Sequence, residues 1–180
     1  MIKRIQINKL EAARRQMETA IRLYFVEGDT VSIHTLVSAA YQILSDINRK
    51  QGGTPMLKEK LPTWVRQDAT TEAKRRLSEA ANYFKHAERD HKVVLSFNPG
   101  QTELFLFDAC VKYKELTNET IPDLFVYQAW FAIKNASLTK DIAIKQLLLE
   151  SHRILATSTR QAFYADVLPL ASEITIHPTS

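Results

Sequence analysis

Apolar residues recur along this chain every three or four positions, the spacing of one buried face of an α-helix, and glycine and proline break that rhythm at only a few points. Asn8 followed by Glu11 matches a capping box, and beyond it Leu10, Ala13, Met17, Ala20, Ile21 and Tyr24 share a face, so a first helix is expected to reach Glu27. Gly28-Asp29 ends it, with Asp29 placed to cap a second helix whose stripe is Ile33, Leu36, Val37, Ala40, Leu44 and Ile47. Two stripes joined by so short a loop predict an antiparallel hairpin.

Gln51-Gly52-Gly53-Thr54-Pro55 stops the second helix. Residues 54–68 have no clear period: Pro62 breaks them, and Trp64 and Val65 are expected to cover the core from a short turn. A third helix is predicted over 70–88, with Ala73, Leu77, Ala80, Ala81 and Phe84 inward. Asn98-Pro99-Gly100-Gln101 reads as the next start, with Asn98 as cap and Pro99 at the first helical position. Leu104-Phe105-Leu106-Phe107 follows, and a helix without a polar side belongs at the centre of a bundle.

Pro122 opens a helix over 122–135 that carries Phe125, Trp130 and Phe131. A long helix is predicted from Ser137 or Thr139 through Leu155, then a shorter one over 160–168 closed by Pro169, with 173–180 as a flexible tail. Neither an internal repeat nor a strand pair is visible. The expected fold is all-α: one domain over 1–180, a bundle of about six to seven mostly antiparallel helices.

Composition agrees with that fold. At 180 residues, 45% hydrophobic and 24% charged, the chain has the apolar content of one globular domain, which excludes a disordered polymer. The 24 Lys+Arg against 20 Asp+Glu leave a net charge of +4, compatible with a phosphate-bearing partner without requiring one. Cys110 is the single cysteine; it excludes an intramolecular disulfide and a multi-cysteine zinc site, points to a reducing compartment, and reads as a small buried hydrophobe. No secretory leader and no apolar run of ~20 residues is present, so a cytoplasmic protein away from the membrane is expected. Gly-rich phosphate loops, dinucleotide fingerprints and nucleophile elbows are missing, and no cofactor is expected.

Polar chemistry is densest over 82–91. At ~100° per residue along the third helix, Arg75, Asn82, His86 and Arg89 share one side, opposite Leu77, Ala80 and Phe84. Arginine supplies a fork of donors, asparagine orients, and histidine exchanges a proton near neutral pH, a set suited to phosphate. The same stripe also fits an ordinary solvated face. In favour of a site, Lys74, Arg75, Arg76, Lys85, Arg89 and Lys92 concentrate the basic charge; Glu72, Glu79, Glu88 and Asp90 dilute it. His34, on the flank of the second stripe and aligned with Tyr41, is the second candidate: either a half-buried histidine bonded to a neighbouring helix, or a supporting residue in a groove with His86. Glu88-x-x-His91 has the spacing of helical di-metal sites but occurs once, and Glu150 and His152 do not share a helical face, so no metal is expected.

Glu11-Ala12-Ala13-Arg14-Arg15 running into 20–25, Ser32-Ile33-His34-Thr35-Leu36, and 81–87 together resemble a group of bacterial helical proteins without assigned function. More distantly, these stretches resemble HEPN (higher eukaryote and prokaryote nucleotide-binding) domains. That resemblance implies a small helical bundle, often a homodimer, that binds nucleotide or RNA and in many cases cuts RNA without metal. It implies His86 as the catalytic, proton-transferring residue, with Asn82 and Arg89 on the phosphate; the helical stripe and the basic cluster add Arg75 and Lys85 as phosphate contacts, and His34 is the supporting residue behind them. The motif of those domains sets an Arg four to six residues before its His; here Arg76 lies ten before His86, and Lys85 stands where a fork would be wanted. Weak endonuclease activity or binding without catalysis is the corresponding expectation. Two alternatives stay open: a protein-interaction bundle, and a regulatory bundle with an apolar small-molecule pocket between helices.

Overall fold

Asn8 caps the first helix as its position predicts. Its Oδ1 accepts the Glu11 amide at 2.8 Å, and α1 runs over Lys9–Phe25. The Glu11 carboxylate does not complete the reciprocal half of the box; it takes the guanidinium groups of Arg14 and Arg15 instead. Asp29 likewise caps α2, Thr30–Lys50, by accepting the Ser32 amide. The computed structural model describes residues 4–60, 70–88, 91–138, 146, 149, 151 and 158–176. Within them lie five further helices: α3 Leu57–Lys60, α4 Thr70–Tyr83, α5 Gly100–Thr117, α6 Pro122–Lys134 and α7 Arg160–Ile176. A 3-10 turn spans Ala136–Leu138, and no strand occurs among the described residues. The fold is an all-α bundle.

Two antiparallel hairpins make its centre. In α5 and α6, Lys134 reaches Glu103 while Phe131 stacks on Phe107, so the two helices run in opposite directions. Between hairpins the directions agree. His34 meets Thr102 and Tyr41 meets Asp108 along α2 and α5, whereas Arg22 meets Asp123 and Phe25 meets Trp130 along α1 and α6. The shared core is Met17, Ile21, Phe25, Val37, Leu44, Leu106, Val126 and Tyr127, all fully buried. α5 is central as predicted, though not on every side: Phe105 and Leu106 are buried, while Leu104 is 40% exposed. Its start also differs. Asn98 Oδ1 accepts the Gly100 amide, and Pro99 stands before the first helical residue instead of on it.

The loop after α2 is pinned from both sides. Asn48 donates from Nδ2 to the Thr54 carbonyl at 2.9 Å, and the buried Lys112 ammonium also reaches that carbonyl. Gly53 leaves room for that contact: a Cβ there would sit 2.0 Å from Asn48 Oδ1 and force the asparagine side chain to shift. α3 follows directly, fixed to α5 by the Leu57 amide, which donates to Asp108 Oδ2 at 2.8 Å. The turn expected around Trp64 and Val65 and most of the long helix expected over 139–155 lie outside the described residues.

Two helix ends depart from the sequence pattern. α4 stops at Tyr83, five residues short of the expected 88, because the inner stripe ends at Phe84: its i+3 and i+4 positions are Ala87 and Glu88, both exposed. α7, conversely, runs through Pro169 to Ile176. Phe163 and Ala171 are buried on either side of the proline, with Val167 packed between them, so one continuous apolar stripe outweighs the missing amide. Residues 173–176 are therefore helical and do not belong to a tail; 177–180 lie outside the described residues.

Candidate functional site

α4 packs against α2 and delivers Phe84, one residue past its end, onto the ring of His34. Phe84 and Phe97 meet the imidazole edge-on, with centroids 5.7 and 5.0 Å away, and each other at 5.2 Å. His34 is 1% exposed. Its Nδ1 lies 2.7 Å from Thr102 Oγ1, and its Nε2 has no hydrogen-bond partner among the described residues. A buried imidazole nitrogen without a partner costs about 1–3 kcal/mol, so the position is not explained by packing alone.

Lys58, on α3, is near enough for its charge to act on the same imidazole. Tyr41 OH donates to Asp108 Oδ2 at 2.6 Å and accepts the Lys58 amide at 2.8 Å, which seats α3 beside the stretch of α2 that carries His34. The Lys58 ammonium lies 5.8 Å from the Phe105 ring centroid. Lys85 arrives from the turn after α4. Burial first, then the charges of Lys58 and Lys85, hold the His34 pKa down to about 4. Burial and Lys85 similarly lower that of Lys58.

Neither lysine forms an ion pair among the described residues. The acids on the adjoining elements are already engaged: Asp108 by Tyr41 and Leu57, Glu59 by Ser45 and the Met56 amide. The charges of half-buried Lys58 and exposed Lys85 thus act on a buried, neutral imidazole. Such a corner favours an anion with several acceptor oxygens.

The stripe expected on the third helix is distributed differently. Arg75 donates to Glu72 at 2.7 and 2.8 Å and to Glu79 at 3.0 Å, and Arg76 donates to Glu72. Both arginines border an open groove whose other wall is Ser96, Asn98 and Gln101. Asn82 is exposed, and its carbonyl accepts the amides of Lys85 and His86 as the chain leaves the helix. His86 is exposed in that turn, not on the helix, so alignment by 100° steps ends before it. Arg89 lies outside the described residues. Lys85 is near enough for its charge to act on His34, whereas Arg75 is engaged by Glu72 and Glu79.

Two members of the corner were not picked out from sequence. Lys58 lies in the stretch with no period and had no signal. Thr102 did have one: it stands three, four and seven residues before the buried Phe105, Leu106 and Ala109, a polar residue on a core stripe. Glu88 and His91 are both exposed, and no group of three His, Cys, Asp or Glu among the described residues is arranged to hold a metal ion. No helix among them is long and apolar enough to cross a membrane. No family model, curated protein or solved structure matches the chain.

Proposed function

We propose that this protein binds a phosphate-bearing ligand, a nucleotide or an RNA phosphate, where Lys58 and Lys85 converge on His34. The observation that carries this reading is a pair of lysines, without ion-pair partners among the described residues, whose charges act on a buried imidazole whose Nε2 has no hydrogen-bond partner among them. A phosphate has enough acceptor oxygens to take a hydrogen bond from both ammonium groups at once. The resemblance of 81–87 to HEPN domains supports the same ligand class, with Lys85 at its centre and the arginines of α4 occupied elsewhere.

Fluorescence anisotropy with labelled single-stranded RNA, competed with nucleotides, tests it. Two phosphate contacts predict a fall of log K against log salt with a slope of about −1.4. Lys58→Met with Lys85→Met should weaken binding at least ~tenfold. Unchanged affinity in that variant, or no binding by the wild type, rejects the site. Cleavage is a separate step of the proposal: His86, exposed one residue from Lys85, would move the proton. RNA cut in the presence of EDTA by the wild type, and left whole by His86→Ala, would establish it.

One observation favours an interaction bundle as the second reading. Leu104, Phe107 and Phe131 line an open apolar groove with Leu57 and Ala132. Sedimentation of the wild type against Leu104→Glu decides whether this face joins two copies in a homodimer.

A further inference from the structure

A cavity opens at the end of the bundle where α1 stops and α2, α5 and α7 begin. It encloses about 280 Å³. Ile33, Leu106 and Tyr127 give it apolar walls, all buried. Two side chains of opposite charge, Arg160 and Glu27, also line it, and neither has an ion-pair partner among the described residues. The third charged residue of the lining, Glu103, is already held by Lys134 at 2.8 Å.

Each unpaired charge sits where its own backbone disfavours it. Arg160 is the first residue of α7, at the positive end of that helix; Glu27 follows the last turn of α1, at the negative end. Arg160 is nevertheless fixed in place, its guanidinium lying over the Tyr24 ring 4.4 Å from the centroid, which leaves its N–H edges for another partner. Tyr24 is 6% exposed. Its hydroxyl accepts from Trp130 Nε1 at 3.2 Å, and its own hydrogen has no acceptor among the described residues. A buried tyrosine and two opposite charges without ion-pair partners among the described residues therefore line one cavity.

We propose that this cavity binds an α-amino acid with an apolar side chain. The ligand's carboxylate takes the Arg160 fork and the Tyr24 hydroxyl, its ammonium meets Glu27, and its side chain packs on Ile33, Leu106 and Tyr127. A volume just below that of drug-sized pockets suits a ligand of this size. The site shares only Thr102 with the surroundings of His34, so it stands whether or not phosphate binds there.

Isothermal titration of the full chain with L-phenylalanine and L-leucine tests the assignment. 3-Phenylpropionate, which lacks the ammonium, and phenethylamine, which lacks the carboxylate, serve as probes of each half. Saturable one-site binding of an amino acid is expected, at least ~tenfold tighter than either probe. Glu27→Gln should remove that margin over 3-phenylpropionate without weakening 3-phenylpropionate itself. Arg160→Gln should weaken both carboxylates at least ~tenfold. Should loss of the Tyr24 contact unfold the arginine variant, the exposed Glu27 substitution decides alone. The lysine double variant should bind amino acid as the wild type does. No saturable binding of either amino acid, equal binding of the probes, or affinity unchanged in Glu27→Gln overturns the proposal.

Discussion

His34 Nδ1 and Thr102 Oγ1, 2.7 Å apart, join the buried faces of α2 and α5 near the first turn of each helix. The bond holds an imidazole that burial first, and then the charges of Lys58 and Lys85, keep neutral. The unfolded chain takes up a proton on this residue near pH 6.5, whereas the folded chain refuses it until about pH 4. The contribution of His34 to stability is therefore whole above pH 6.5 and is lost as the pH falls towards 4. Urea unfolding across that window should show stability declining with acid and a flatter profile in His34→Gln. Parallel profiles would mean that the imidazole is not shielded. Thr102→Val, which strands Nδ1, should cost about 1–3 kcal/mol at neutral pH.

Tyr41 predicts a coupling between stability and binding. Its hydroxyl is the only link described between the Lys58 amide and Asp108, so Tyr41→Phe removes a donor from a carboxylate and an acceptor from an amide. Asp108 keeps the Leu57 amide, which limits the loss to about 1–2 kcal/mol. Lys58 would then be held less firmly towards His34. Phosphate or RNA affinity should fall in Tyr41→Phe, measured by anisotropy, while amino-acid binding in the cavity beside Arg160 stays as it was.

Arg75 should matter little for phosphate. Its guanidinium already donates three hydrogen bonds to Glu72 and Glu79, and an anion would have to displace them. Arg75→Gln is expected to change RNA affinity by less than ~threefold, against at least ~tenfold for the lysine pair. A large loss in Arg75→Gln would move the binding face onto the outer side of α4.

The fold was legible because burial in helices follows a period that local sequence carries. Met17, Ile21, Val37 and Leu44 could be placed inside from spacing alone, and Asn8 and Asp29 from capping chemistry. The site was legible only in part. His34 and Lys85 were both singled out, but their meeting depends on α2 and α4 being neighbours, and no local pattern encodes that. Lys58 is brought in by a one-turn helix anchored through Tyr41 and Asp108, contacts that span 17 and 51 residues. The α4 stripe misled because helical projection assumes a helix that continues, and this one runs out of apolar residues at Phe84.

Asp123 ties three helices together and predicts a different kind of loss. Its carboxylate accepts from Arg22 Nε and Nη2 at 3.1 and 3.0 Å and from the Tyr164 hydroxyl, joining α6 to α1 and α7. The aspartate is 6% exposed, but the Arg22 side chain is 59% exposed, so solvent recovers much of the arginine's charge when the pair is broken. Asp123→Asn should therefore cost about 1–3 kcal/mol, below the 3–5 kcal/mol typical of a fully buried pair. A loss under ~0.5 kcal/mol by urea titration would show that the pair is as weak as an ordinary surface one.

Pro169 offers the opposite result, a substitution that stabilises. Inside α7 it has no amide for the Ala165 carbonyl, and a proline in a helix interior is about 3 kcal/mol less favourable than alanine. Pro169 is exposed, so alanine opens no cavity. Proline also stiffens the unfolded chain, and losing that restraint returns about 0.4–1 kcal/mol to the unfolded state. The net expectation for Pro169→Ala is a gain of about 1–3 kcal/mol, read as a higher urea midpoint with an unchanged denaturant slope. Unchanged or lower stability would mean that the helix from Arg160 to Ile176 is broken at the proline in solution, and that Ala171 does not pack with Phe163 on one continuous face.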